Sequence, residues 1–213
     1  MTQAKFDSLI MKIATVVGRI ALGYLFFTQL WWKVPPSFGC PADYAFTEEA
    51  GGRLRTTQGL CDWIGRESVY AQKPRQFFVA DMRTVGGPVL QLDVSPIAQA
   101  NGAFLDGFVK PNIGWFGYAV FAMEAFIFVS LVFGVFSRLG GLVSIAQSAQ
   151  LMIGLSGTPG EWEWTYHLMV ALSLVLFALA PGRTFGVDAW LRPMFQAAAE
   201  KGNKLGRVLM WLT

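Results

Sequence analysis

Apolar residues in this chain fall into four long blocks, Ile13–Trp32, Ile113–Phe136, Leu139–Leu155 and Trp164–Ala180, set apart by polar stretches. An α-helix rises about 1.5 Å per residue and a bilayer core is about 30 Å thick, so roughly 20 apolar residues cross it. The first two blocks meet that length and the last two lie near its short end. The pattern predicts an all-α membrane protein built as a bundle of four transmembrane helices over 13–33, 112–136, 139–156 and 163–181. Over residues 1–12 and into the first block, Phe6, Leu9, Ile10 and Ile13 recur at helical spacing with Lys5 and Lys12 set among them, the mark of an amphipathic lead at the interface. In 182–213, apolar positions such as Trp190, Leu191 and Phe195 are too broken by Arg192, Lys201, Lys204 and Arg207 to span. That tail reads as an interfacial helix.

The breaks between blocks have local causes. Val34-Pro35-Pro36 ends the first helix, because proline cannot continue the hydrogen-bond ladder and turns its predecessor away from helix. The long polar section 34–111 follows, broken by Gly51-Gly52 and Gly86-Gly87. Gln76–Met82 and Val89–Val94 have strand-like length and alternation, and Pro96–Val109 has the apolar spacing of a short interfacial helix. A compact cap on the helix ends is predicted here. Ser137-Arg138 ends the second helix and the third begins at Leu139, which makes the two an antiparallel hairpin. Gly140, Ser144 and Ser148 recur every fourth residue, the spacing that lets membrane helices approach closely. Gly157-Thr158-Pro159-Gly160 is a turn by composition.

Composition agrees: 54% of residues are apolar and 15% charged, far from a soluble-domain average. The net charge of +3 is too small to suggest nucleic acid as a partner; its placement carries more information. With four spans, nine Lys and Arg (Lys5, Lys12, Arg19, Arg138, Arg183, Arg192, Lys201, Lys204 and Arg207) share one side, whereas the turn 157–163 carries only Glu161 and Glu163. The positive-inside rule therefore places both termini in the cytoplasm and the long loop outside. In that compartment Cys40 and Cys61, which lack any zinc or redox spacing, are expected to pair as a plain disulfide. A signal peptide is the competing reading of the N-terminus. Bulky aromatics from Tyr24 to Trp32, with no small-residue cleavage pattern after them, favour a retained helix.

Candidate chemistry is sparse. Glu124 lies near the middle of the second span, where a carboxyl must face other helices or a polar cavity. It suits proton transfer or a hydrogen bond to a quinone carbonyl; a structural bond to Gln147 or Gln150 explains it equally well. Gln147, Gln150 and Gln29 lie inside helices and bond across the bundle or to a polar ligand. His167, the only histidine, has no second histidine for a bis-histidine haem, so it reads as a membrane-surface residue with a local hydrogen bond. Arg19 sits near enough to an edge to snorkel, and Trp31, Trp32 and Lys33 mark the far interface. No metal or haem site is expected. The sequence carries no phosphate loop, dinucleotide fingerprint, nucleophile elbow or calcium loop.

Several short motifs, taken in order, resemble a known family. The first helix contains Gly18-Arg19-Ile20-Ala21-Leu22-Gly23, then Phe26-Phe27, and ends at Lys33. The second has Glu124 and Gly134 and runs into Ser137-Arg138-Leu139-Gly140-Gly141. The fourth ends in Ala180-Pro181-Gly182-Arg183, followed by Gly186, Asp188 and Leu191. Together these resemble the DoxX-like family of small four-helix bacterial and archaeal membrane proteins. Phe108-Val109-Lys110-Pro111-Asn112, after a long first loop, is closer to the DoxD type found in thiosulfate:quinone oxidoreductase.

The resemblance implies a subunit of the cytoplasmic membrane associated with quinone-linked electron transfer, with other membrane subunits as partners. It places Glu124 as the catalytic candidate, beside Arg19, Lys33 and Arg138; Gln147, Gln150 and His167 complete the candidate ligand-binding set. Arg183 and Asp188 match the family pattern too, and are expected to pair with each other or with Arg138. The cysteine-bearing loop and the tail fall outside the resemblance. A non-catalytic accessory subunit of a larger respiratory or photosynthetic complex is the alternative function.

Overall fold

A computed structural model describes residues 3–40 and 59–213. Residues 1–2 of the lead and the 41–58 stretch of the predicted cap, with its Gly51-Gly52 break, lie outside the described residues. The chain is mostly helical. Its elements are α1 (Gln3–Leu30), α2 (Leu60–Ala71), β1 (Gln76–Asp81), β2 (Val89–Asp93), α3 (Ser95–Phe104), α4 (Ile113–Phe133), α5 (Ser137–Leu155), α6 (Glu163–Leu179), α7 (Asp188–Glu200) and α8 (Lys204–Leu212). The amphipathic lead is no separate element. No proline or glycine interrupts 3–17, so lead and first predicted span form the single helix α1.

Among the described residues, two helical runs are long and apolar enough to cross a membrane: Gln3–Lys33 and Ser95–Phe133. The second is longer than the sequence pattern predicts. The short helix expected at 96–109 joins the following span, because Leu105–Val109 forms a π-turn and Lys110–Asn112 a 3₁₀ turn ahead of α4. Proline lacks an N–H and crowds the carbonyl four residues back, and a locally altered turn accommodates Pro111 without ending the helix. Helix α6 is apolar but only 17 residues long. Helix α5 reaches 19 residues, yet its Ser, Gly and Gln content leaves it outside the apolar set.

The chain forms two compact units. The first comprises Met1–Trp31, Val120–Ser148 and Leu168–Thr213; the second comprises Trp32–Ala119 and Ala149–His167.

In the first unit small residues set the helix contacts. A Cβ on Gly23 of α1 would lie 2.8 Å from the Val132 side chain of α4, and one on Gly140 would strike Ser130 Oγ. Gly141 lies against the Phe177 backbone, and the Ser144 and Ser173 hydroxyls meet at 2.8 Å between α5 and α6. The Gly-Ser repeat therefore does what its spacing predicts. Beyond α6 the expected single tail helix is a helical hairpin. Gly202, with φ +83°, makes the turn that a side chain would strain, and the Asn203 side chain caps α8 by accepting from the Gly206 N–H.

In the second unit the Cys40–Cys61 disulfide forms as expected, joining the segment after α1 to the first turn of α2. The two strand-like pieces pair as an antiparallel hairpin, Gln76 opposite Asp93 and Asp81 opposite Val89, with a bulge between Phe77 and Ala80. That hairpin departs from the all-α expectation. It is short, and most of its residues are exposed.

Candidate functional site

Two buried polar centres stand out, one in each unit. In the first, Glu124 of α4 is 2% exposed, and the Gln147 side-chain N–H of α5 donates to its Oε1 at 3.4 Å. Of the two amide partners open to Glu124 on sequence grounds, the fold selects Gln147.

In the same unit Arg19, Asp188, Arg183 and Arg138 bond to backbone groups. Arg19 does not snorkel: it is 2% exposed and donates from Nη2 to the Phe185 carbonyl at 2.6 Å. Space for its guanidinium comes from Gly134 and Gly186, since a Cβ on either would collide with Nη1. Asp188 pairs with neither Arg183 nor Arg138. Its two carboxylate oxygens accept the backbone N–H groups of Phe136 and Ser137, each at 2.7 Å, at the start of α5. Arg183 donates to the Thr213 carbonyl and Arg138 to that of Trp211. Among the described residues, Gln29 makes a local bond to Thr28 and none across the bundle.

The second centre is built around Glu67 of α2, a residue the sequence pattern does not single out. Its carboxylate accepts from the Gln150 side chain of α5 at 2.6 Å and from Asn101 of α3 at 3.3 Å. It lies so close to Gly154 that a Cβ there would sit 2.2 Å from Oε2. Arg75 closes the end of α5: Nη1 donates to the carbonyls of Ile153 (3.4 Å), Gly154 (3.3 Å) and Ser156, and Nη2 to that of Tyr70 at 3.2 Å. The first three are carbonyls at the C-terminus of α5, where a helix leaves acceptors without intrahelical partners, whereas that of Tyr70 also accepts from the Lys73 N–H. Lys33, buried and with its ammonium 4.4 Å from the Trp32 ring centre, adds a second positive charge in the neighbourhood of Glu67. Beside them Arg66 donates to Glu161 at 2.9 Å, and the Tyr166 hydroxyl donates to the other oxygen of Glu161 at 2.8 Å.

Burial pushes the Glu67 carboxyl up to about 7, against the opposing pull of the Asn101 and Gln150 hydrogen bonds and the Arg75 and Lys33 charges. An unfolded glutamate loses its proton near 4.5. Between these values the folded state holds a proton that the unfolded state has released, so stability falls as pH rises from about 4.5 to 7 and then levels. The drop is on the order of 3 kcal/mol, and a Glu67→Gln variant is expected to lack it. Denaturant titrations of both proteins from pH 4 to 8 check this; parallel curves would refute it.

His167 lies in this unit as well. Its Nδ1 is 2.9 Å from the Glu163 carbonyl, and the rings of Phe77 and Phe78 stand edge-on, each 4.8 Å away between centroids. Thus the sequence-predicted residues separate: Arg19, Glu124, Arg138 and Gln147 belong to the first unit, Lys33, Gln150 and His167 to the second. Among the described residues no group of three or more His, Cys, Asp or Glu is placed to hold a metal ion. Glu67, Arg75 and Asn101 escape sequence reading because each looks like an ordinary charged or polar loop residue. The one available signal is Gln150, an amide inside an apolar helix that needs a polar partner.

No protein-family model, curated protein or solved structure matches this chain.

Proposed function

We propose that this chain is a four-span subunit of a bacterial or archaeal cytoplasmic membrane, of the DoxX-like kind, associated with quinone-linked electron transfer. Both termini face the cytoplasm and the loop carrying the Cys40–Cys61 disulfide faces outward, where an oxidising environment keeps such a bond. The single observation that carries the reading is Glu124: a carboxyl 2% exposed, held by the Gln147 amide among closely packed helices. When protonated such a group donates a hydrogen bond, and when ionised it accepts a proton; interconversion of quinone and quinol calls on both capacities. Glu124 and Gln147 are the residues that would hold the headgroup. A quinone bound there supplies the two-electron, two-proton couple; the chain supplies the hydrogen-bonding carboxyl and excludes water around it. The electron source is assigned to a partner subunit, because the sequence carries no haem or iron–sulfur motif.

Glu124→Gln keeps the shape and removes the proton, so quinone-dependent turnover of the native membrane is expected to fall by about a hundredfold or more. Normal expression and assembly of the variant should accompany the loss. Unchanged turnover would exclude proton handling by Glu124.

One observation favours the second reading, an accessory subunit of a larger complex. The tail helices expose Trp190 (77%), Met194 (66%) and Leu205 (63%), a surface suited to lipid or to a neighbouring membrane subunit. Gentle-detergent purification with mass spectrometry of the co-purifying proteins and extracted quinone separates the two. Recovery in a large complex with no quinone assigned to this subunit favours the accessory role, and recovery with stoichiometric quinone favours the first.

A further inference from the structure

We propose that His167, with Phe77, Phe78 and Trp164, forms a second headgroup site that takes the reduced ring, a hydroquinone, through a hydrogen bond from its hydroxyl to His167 Nε2. This rests on the quinone reading and adds a location and a preferred redox state. All four residues belong to the second unit, apart from Glu124.

The chemistry follows from the orientation of the imidazole. The Glu163 carbonyl can only accept, so Nδ1 carries the hydrogen and Nε2 of the neutral ring presents a lone pair. That Nε2 is buried, in a residue 9% exposed, and has no hydrogen-bond partner among the described residues. Buried acceptors in folded proteins are usually satisfied, and an orphan calls for an explanation. Its surroundings are aromatic: Phe77 and Phe78 edge-on, and Trp164 at 5.7 Å. Such walls suit a flat ring, and the lone pair suits a hydroxyl donor.

Access is built in at one wall. Phe78 has φ +55°, the left-handed region that non-glycine residues rarely adopt, and it sits at the bulge where β1 and β2 lose register. Its side is half open, with Phe78 51% and Trp164 47% exposed. Bulges re-aim side chains, and strained residues gather where a ligand is clamped. Phe78, the half-exposed wall, is the ring an entering ligand would displace, and the Nδ1 bond to the Glu163 carbonyl fixes the imidazole. The oxidised quinone has carbonyl acceptors and no hydroxyl, so it gains nothing from this lone pair.

The test is equilibrium binding of a short-tailed benzohydroquinone, kept reduced, and of the matching benzoquinone to the full chain in lipid nanodiscs. His167→Phe retains an aromatic ring and removes the acceptor; it is expected to weaken hydroquinone binding about tenfold, the worth of one buried hydrogen bond, and to leave quinone binding unchanged. His167→Gln, whose amide oxygen can accept, should restore part of the affinity. Equal loss for both ligands, or no loss of hydroquinone in either variant, overturns the proposal. If quinone binding still depends on Glu124 in that second case, the quinone reading survives alone. If the unaltered chain binds neither ligand, both readings fall together.

Discussion

Replacing Arg75 by alanine is expected to destabilise the unit formed by Trp32–Ala119 and Ala149–His167 by about 3–5 kcal/mol, the range for removing one partner from a buried charged network. Arg75 is 4% exposed, and its guanidinium serves three carbonyls at the end of α5 and one in α2. Alanine takes this donor from the three carbonyls at the end of α5, each worth about 1–3 kcal/mol, although water entering the new space recovers some of the loss; the Tyr70 carbonyl keeps the Lys73 N–H. It also removes one of the positive charges that offset burial of Glu67, so the Glu67 carboxyl should hold its proton to a higher pH. Hydrogen exchange at the α2 and α3 amides, set against that of α7 and α8, measures the effect. Arg75→Lys should fall between, since one ammonium cannot fork to four carbonyls. A loss below about 1 kcal/mol for the alanine variant would mean that α5 is terminated by other contacts.

Asp188→Ala should produce the second large effect, about 2–4 kcal/mol in the other unit, because two backbone N–H groups, one buried and one part-buried, lose their carboxylate acceptor at once. The turn they belong to is already demanding: Phe136 has φ +47° and Gly134 φ +66°. The carboxylate therefore holds a strained connection as well as capping the first turn of α5, where negative charge is favoured. Asp188→Asn offers one acceptor and turns an NH₂ toward the second N–H, so it should recover about half of the loss. Thermal unfolding of the purified variants in the same detergent ranks them. An asparagine variant as stable as the original would show that a single acceptor suffices.

Helix positions were legible because hydrophobic runs of span length leave few alternatives, and the breakers Pro35-Pro36 and Pro181-Gly182 follow closely on α1 with its 3₁₀ turn and on α6. Ser137-Arg138, read as the end of the second span, instead opens α5, and the turn that ends α4 is made by Gly134 and Phe136 at positive φ. Pro111 is the instructive exception. Sequence rules read proline as a boundary, yet a π-turn and a 3₁₀ turn carry the helix past it. The hairpin was visible only as a weak alternation, since its exposed faces remain apolar at Phe78, Val79, Leu90 and Leu92 and give no clean inside–outside pattern.

From its sequence alone this chain determined that it is mostly helical, that two of its runs are long enough to cross a bilayer, and that Cys40 and Cys61 were free to pair. Each of these depends on local quantities: run length, breaker position, residue type. Partnership among polar residues was decided only by the tertiary structure. Gln147 and Gln150 are three residues apart and chemically identical, yet one bonds Glu124 and the other Glu67, 23 and 83 residues away. Nothing local distinguishes Glu67 from an exposed loop glutamate, or Arg19 from a snorkelling arginine. Burial changes what they do, because removing a charge from water makes every nearby donor, acceptor and ion count for more, and burial belongs to the packed chain.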